Sequence, residues 1–83
     1  MAILERSEHY GDLQRVIDFL YEKKERVCRL DVIMAVETFD LTQDLREIVE
    51  LLPPGTYTRI QLCHQLNSSI SGHGWGYTYG TVE

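Results

Sequence analysis

The stretch GTYTRIQLCHQLNSSI, residues 55–70, places two helix-starting devices on one residue. Thr58 followed by Gln61 fits the T-x-x-Q capping box, in which each side chain satisfies a backbone N–H left open at a helix start. Tyr57 and Leu62 stand at the N′ and N4 positions, where an apolar pair staples the incoming chain. The spacing therefore predicts a helix over 59–68 that buries Leu62, Leu66 and Cys63 and leaves Ile60 at its margin. Asn67, Ser68 and Ser69 compete with the helical backbone, and Gly72 and Gly74 complete the break. Ahead of the helix, GTYT at 55–58 reads as a short strand, entered from the turn Pro53–Gly55 that two prolines and a glycine enforce.

Upstream of that turn, Leu41, Leu45, Ile48, Val49 and Leu52 form the apolar stripe of a helix, and Asp40 with Gln43 resembles its capping box. Residues 27–39, VCRLDVIMAVETF, fit both an alternating strand and a helical face. A short helix from about Asp31, capped by that side chain, is the expectation. Leu13, Val16, Ile17 and Leu20 follow helical spacing with Asp12, Arg15, Asp18 and Glu22 off the stripe, which predicts a helix over 9–25. The run EKKER at 22–26 marks its end or the turn after it, and as a solvated face it needs no function. Downstream, Trp75, Tyr77, Tyr79 and Thr81 alternate with Gly76, Thr78, Gly80 and Val82, the period of a strand with one large and one small face. GTYT is its expected antiparallel partner. No internal repeat or interdomain linker stands out. The expected architecture is one α+β domain over 1–83, with three or four helices and a C-terminal two-stranded β hairpin or ribbon.

Composition narrows the function classes. The chain is 43% hydrophobic and 25% charged, within the range of ordinary globular proteins. A chain of 83 residues buries only about 60–65% of the surface its unfolded form exposes. No apolar run is long enough to span a membrane, and MAILERSEHYGD lacks the basic-then-apolar order of a secretory signal, so a cytoplasmic address and no membrane partner are expected. Cys28 and Cys63 have no CxxC spacing and read as small buried hydrophobes. Of thirteen acids, only Glu83 lies beyond residue 50, and residues 51–82 hold one base, Arg59. The net charge of −5 is thus concentrated in the first part of the chain.

Helix, turn, GTYT strand, capped helix and glycine-rich end together resemble the outline of a winged helix-turn-helix over residues 40–83. That resemblance implies a recognition helix at 59–68 presenting Arg59, Gln61, His64, Gln65 and Asn67 to DNA, where arginine pairs with guanine and glutamine or asparagine with adenine. The departure is electrostatic, because phosphate neutralisation would depend on Lys23, Lys24, Arg26 and Arg29 lying alongside.

Sites of chemistry are weakly supported. A metal would have to draw on Cys28, Cys63, His64 and His73, and adjacent helical residues such as Cys63 and His64 point about 100° apart. Cys63 with His73 lacks an orienting third group, and GHGWG at 72–76 is neither GxGxxG nor followed by a helix. Nucleotide stacking on Trp75 or Tyr77 draws only on their aromatic faces. No catalytic activity, cofactor or metal is expected.

Trp75, Tyr77 and Tyr79 on one strand face would ordinarily cover their own core. The functional alternative is an interface, since tryptophan and tyrosine concentrate binding energy. The leading expectation is therefore a non-enzymatic protein-interaction module that contacts its partner through His73, Trp75, Tyr77 and Tyr79, within residues 73–82. An acidic helical face of Glu8, Asp12, Asp18, Glu22, Asp44, Glu47 and Glu50 would join them against a basic, nucleic-acid-binding protein. Small acidic anti-defence proteins of phages and mobile elements inhibit in that general way, a likeness of size and charge. Homodimerisation through the unpaired edge of the terminal strand is also expected. The alternative function is a winged-helix DNA-binding regulator using Arg59, Gln61, His64 and Asn67.

Overall fold

The computed structural model describes residues 7–83, so the reading of the amino-terminal stretch falls partly outside the described residues. In chain order the elements are α1 (Asp12–Leu20), β1 (Arg26–Cys28), α2 (Arg29–Thr38), α3 (Gln43–Glu50), β2 (Thr56–Thr58), α4 (Arg59–Gly72) and α5 (Gly76–Tyr79). The class is α+β, with five helices and one two-stranded antiparallel sheet among the described residues.

α1 buries Leu13, Val16, Ile17 and Leu20, the stripe its spacing predicts, and the chain turns away at Tyr21, so the EKKER run lies beyond the helix. Residues 27–39 divide into the end of a strand and a helix: Val27 is buried in β1, and Val32, Ala35 and Val36 are buried on α2, whereas Leu30 and Met34, which both expected patterns share, are exposed. Asp31 does not cap α2 from outside. It sits three residues into the structure it stabilises, and its Oδ2 accepts the Cys28 N–H at 3.0 Å, which holds the carboxyl below its ordinary range.

Asp40 likewise has a different role from the one expected. It ends α2 instead of starting α3, lying in the left-handed region at φ 53°. Its N–H donates to the Glu37 carbonyl at 3.1 Å, and the Leu41 N–H donates to the Val36 carbonyl at 3.0 Å. This pair of bonds is a Schellman stop, and its two apolar members, Val36 and Leu41, are both buried. Thr42 caps α3 in its place, with Oγ1 accepting the Leu45 N–H at 3.4 Å.

α4 begins as its two devices predict: Gln61 Oε1 accepts the Thr58 N–H at 3.0 Å while Thr58 Oγ1 accepts the Gln61 N–H at 3.3 Å. It continues past Ser68 to Gly72, because Ile70 supplies one more fully buried anchor. A second Schellman stop then ends it at Gly74, φ 71°, with Gly74 N–H on the Ser71 carbonyl and Trp75 N–H on the Ile70 carbonyl.

The expected terminal strand does not form. Residues 76–79 make one helical turn, closed by Tyr79 N–H on the Trp75 carbonyl and Gly80 N–H on the Gly76 carbonyl, both at 2.9 Å. A large residue every second position is also a large residue every fourth, so Trp75 and Tyr79 share one side of this turn and both pack against the core. Gly80 has φ 84°, and a Cβ there would lie 3.2 Å from the Tyr10 ring. β2 pairs with β1 instead, with Val27 opposite Tyr57, so no terminal strand edge exists among the described residues to support the expected homodimer.

The fold also contains a repeat that was not evident from the sequence. The register Arg26–Thr58, Val27–Tyr57, Cys28–Thr56 maps onto itself when the strands are exchanged, and both strands read exposed, buried, half-buried. Each strand runs directly into a helix with an arginine first and the N3 side chain back-capping the strand's last residue: Arg29 and Asp31, then Arg59 and Gln61. Before the strands, α1 buries Leu13, Val16, Ile17 and Leu20, while α3 and the residue pair after it bury Leu45, Ile48, Val49 and Leu52 at the same spacing. Among the described residues, two helix–strand–helix patterns thus repeat, related in the strand pair by a local two-fold through Val27 and Tyr57. The exposed hydrophobics repeat too: Phe19 corresponds to Leu51, and Leu30, 60% exposed, to Ile60, 75% exposed.

Candidate interaction surface

The four aromatic residues expected to meet a partner divide between core and surface. Trp75 is half-buried against the core, with its ring edge-on to Tyr79 at 5.7 Å. Tyr79 donates its hydroxyl to Asp44 Oδ2 at 2.6 Å, and this bond raises the phenol above its ordinary value. His73 stacks on Trp75 at 4.7 Å between ring centres, its Nδ1 2.8 Å from the Ser69 carbonyl. Tyr77 is half exposed. His73 and Tyr77 thus face outward beside an anchored Trp75–Tyr79 pair.

The helix residues proposed for DNA are largely engaged within the chain. Arg59 bonds the Asp18 carboxylate and donates from Nε and Nη2 to the Glu83 main-chain oxygen. Asp18 is held below the usual carboxylate range by Arg59 and Gln14. Gln61 caps its own helix, and Asn67 bonds Val82; His64 is exposed. Cys63 is buried, and burial pushes its thiol up, away from the reactive thiolate.

Arg59, Asn67 and Gln14 together hold the final residues as an extended segment between α1 and α4. Asn67 donates to the Val82 carbonyl at 2.8 Å and accepts its N–H at 2.7 Å; Gln14 does the same for Glu83, at 2.8 and 2.9 Å. Two side-chain amides, one from each helix, thereby bond the main-chain N–H and carbonyl of two consecutive residues, as a strand on either side would. The Val82 side chain is buried beneath them. An open groove of about 370 Å³, lined by Ile60, Cys63, His64 and the clamp itself, continues along α4. The clamp residues carried no local motif, and the repeated pattern of α1 and α3 was the signal that could have located Gln14.

The acidic face also divides. Asp12 is paired with His9 and Arg15, Asp18 with Arg59, and Asp44 with Tyr79. Glu8 lies 3.4 Å from the His9 ring. Glu22, Glu25, Glu37, Glu47 and Glu50 make no ion pair among the described residues. The nearby arginines bond other groups: Arg29 donates to the Leu52 and Glu50 carbonyls at 2.8 and 3.0 Å, and Arg46 to the Leu41 carbonyl and Asp40. Between α2 and α3 lies a cleft of about 90 Å³ lined by Ile33, Val36, Glu37, Gln43, Arg46, Val49 and Glu50. No helix among the described residues is long and apolar enough to cross a membrane. Compared with family models, curated proteins and solved structures, the chain matches none.

Proposed function

We propose that this domain is a non-enzymatic protein-interaction module whose acidic α2–α3 side engages a basic surface of a protein partner, as an inhibitor or regulator of a nucleic-acid-binding protein would. The observation that carries this reading is the asymmetry of charge pairing. The arginines of that side are tied to carbonyls and to Asp40, while Glu37, Glu47 and Glu50 make no ion pair among the described residues. Carboxylates without an ion pair on one side draw an oppositely charged partner and set orientation more than raw affinity. His73 and Tyr77, beside the anchored Trp75, offer a second contact region at the far end of α4. The winged-helix outline and its DNA-binding reading have less to draw on, since Arg59, Gln61 and Asn67 would have to give up intramolecular bonds to reach bases.

The test is affinity capture from nuclease-treated lysate of the source cell or its host, with the chain and a Glu37→Gln/Glu47→Gln/Glu50→Gln variant in parallel. A stoichiometric protein retained by the first and lost by the second supports the reading. Equal retention by both, or nucleic acid alone on the column before nuclease, overturns it.

A further inference from the structure

The repeat sets the α2–α3 pair in the place that α1 and α4 take in the other half, and only α1 and α4 hold a peptide segment between them. Between α1 and α4, Asn67 and Gln14 clamp Val82 and Glu83 on the helices that carry the buried Ile17 and Leu66. Carried through the repeat, Asn67 becomes Glu37, Gln14 becomes Arg46, Cys63 becomes Ile33, Leu66 becomes Val36, Ile17 becomes Val49 and Asp18 becomes Glu50. Those six residues line the cleft between α2 and α3. Resting on the proposed interaction function, we infer that the α2–α3 cleft binds an extended peptide segment of the protein partner, with a small aliphatic residue flanked by lysine or arginine.

Each part of that ligand follows from what changes between the two halves. The buried floor, Val36 and Val49, is retained, and about 90 Å³ above it accommodates an aliphatic side chain of the size of Val82. Glu37 in the place of Asn67 accepts a main-chain N–H but cannot donate. Arg46 in the place of Gln14 is held by Nε and Nη2 on Leu41 and Asp40, which leaves Nη1 to donate to a peptide carbonyl. Asp18 is ion-paired with Arg59, whereas its counterpart Glu50 makes no ion pair, the matching Arg29 donating from Nε and Nη2 to the Leu52 and Glu50 carbonyls. The open cleft therefore has two carboxylates, Glu37 and Glu50, that a basic residue on either side of the aliphatic one would pair. Main-chain bonds supply affinity and the pocket and charges supply selectivity, the division seen when a strand is added to an existing structure.

Three short peptides titrated into the full chain, followed by amide chemical shifts, test this. Acetyl-Gly-Lys-Val-Lys-Gly-amide should shift Ile33, Glu37, Arg46 and Glu50, and should bind at least about tenfold more tightly than the same peptide with glycine for valine, the factor expected for burying part of a valine side chain. The peptide with glutamates for lysines should not bind. Glu37→Gln, an exposed substitution, should weaken the first peptide severalfold with the fold unchanged. Equal binding of the valine and glycine peptides overturns the cleft while leaving the acidic-surface reading intact. Shifts centred on Gln14, Asn67 and Val82 overturn it as well, because the other cleft would then be the receptor. No binding by any peptide up to millimolar concentration overturns the cleft as well, and capture of a partner that is lost by the Glu37→Gln/Glu47→Gln/Glu50→Gln variant then decides the acidic-surface reading separately.

Discussion

Replacing Asn67 by alanine should release the end of the chain without unfolding the rest. The substitution removes the partner of the Val82 N–H at 2.7 Å and of its carbonyl at 2.8 Å. At about 0.5–1.5 kcal/mol net for each bond, the loss is about 1–3 kcal/mol. A ceiling comes from release itself: once the segment lifts away, the remaining cost is the burial of Val82, about 1.5–3 kcal/mol for a whole valine side chain. At a central value of about 2 kcal/mol, the melting temperature of a domain this size should fall by roughly 8–16 °C. Amide hydrogen exchange should show Val82 and Glu83 losing protection while Leu62, Leu66 and Ile70 keep theirs. A double-mutant cycle adds the decisive comparison. Val82→Ala alone should cost roughly 1–3 kcal/mol, but almost nothing once Asn67 is alanine, because the side chain it shortens is no longer buried. Strictly additive losses, or unchanged protection at Val82 in Asn67→Ala, would refute the clamp.

Three further outcomes are expected. Asp31→Ala should cost about 0.5–2 kcal/mol by removing the back-cap on Cys28; since the native carboxyl is depressed below 3.8, its contribution is present above that pH and lost as pH falls through the folded value, so chemical denaturation as a function of pH should show a flatter acid limb in the variant. Burial pushes the Tyr21 phenol up to about 12; a raised value means stability fully present below about pH 10 and lost between pH 10 and 12, so Tyr21→Phe should resist alkaline unfolding better than the parent chain in a pH titration followed by circular dichroism. Asp40→Gly should raise stability by about 0.5–1 kcal/mol in urea denaturation, because it removes the left-handed cost at φ 53° and surrenders only the exposed ion pair with Arg46.

The parts of this fold that were legible in the sequence are those specified by neighbours in the chain. The start of α4 needed only Tyr57, Thr58, Gln61 and Leu62, and the buried face of α1 only four residues at helical spacing. The misreadings arose where a local pattern was satisfied by two geometries. Asp40 and Gln43 have the spacing of a capping box, yet the Schellman stop after α2 takes Asp40 first and leaves the cap to Thr42. Trp75 and Tyr79 fit a strand face and a helical turn equally, and the pairing of β2 with β1 left no strand to receive a terminal one. Residues 27–39 looked ambiguous because strand gives way to helix between Cys28 and Arg29 with no turn residue to announce it. The repeat was hidden by its chemistry: Asp12 and Asp44, Leu13 and Leu45, Leu20 and Leu52, and Arg29 and Arg59 are retained, but most other paired positions keep only their burial. For the candidate site, His73 and Tyr77 were placed at the surface as their residue types suggested. The α2–α3 cleft became visible only when α1 and α4 were seen to hold a peptide segment in the matching place.

The strand pair has a consequence for how the chain folds. β1 and β2 meet across two intervening helices, so their register cannot form as a local hairpin. Closing a loop of roughly thirty residues costs on the order of 3 kcal/mol before any contact compensates it. A three-residue ribbon offers little return for that closure. The α2–α3 pair, joined through the Schellman stop at Asp40, is the short-range unit able to form first and bring the strand ends together. The ribbon and the Tyr21 hydroxyl bond to the Tyr57 carbonyl across it then belong to the late side of the folding barrier. Substitutions at Val27 or Tyr57 should accordingly quicken unfolding, whereas those at Val36 or Leu41 should slow folding.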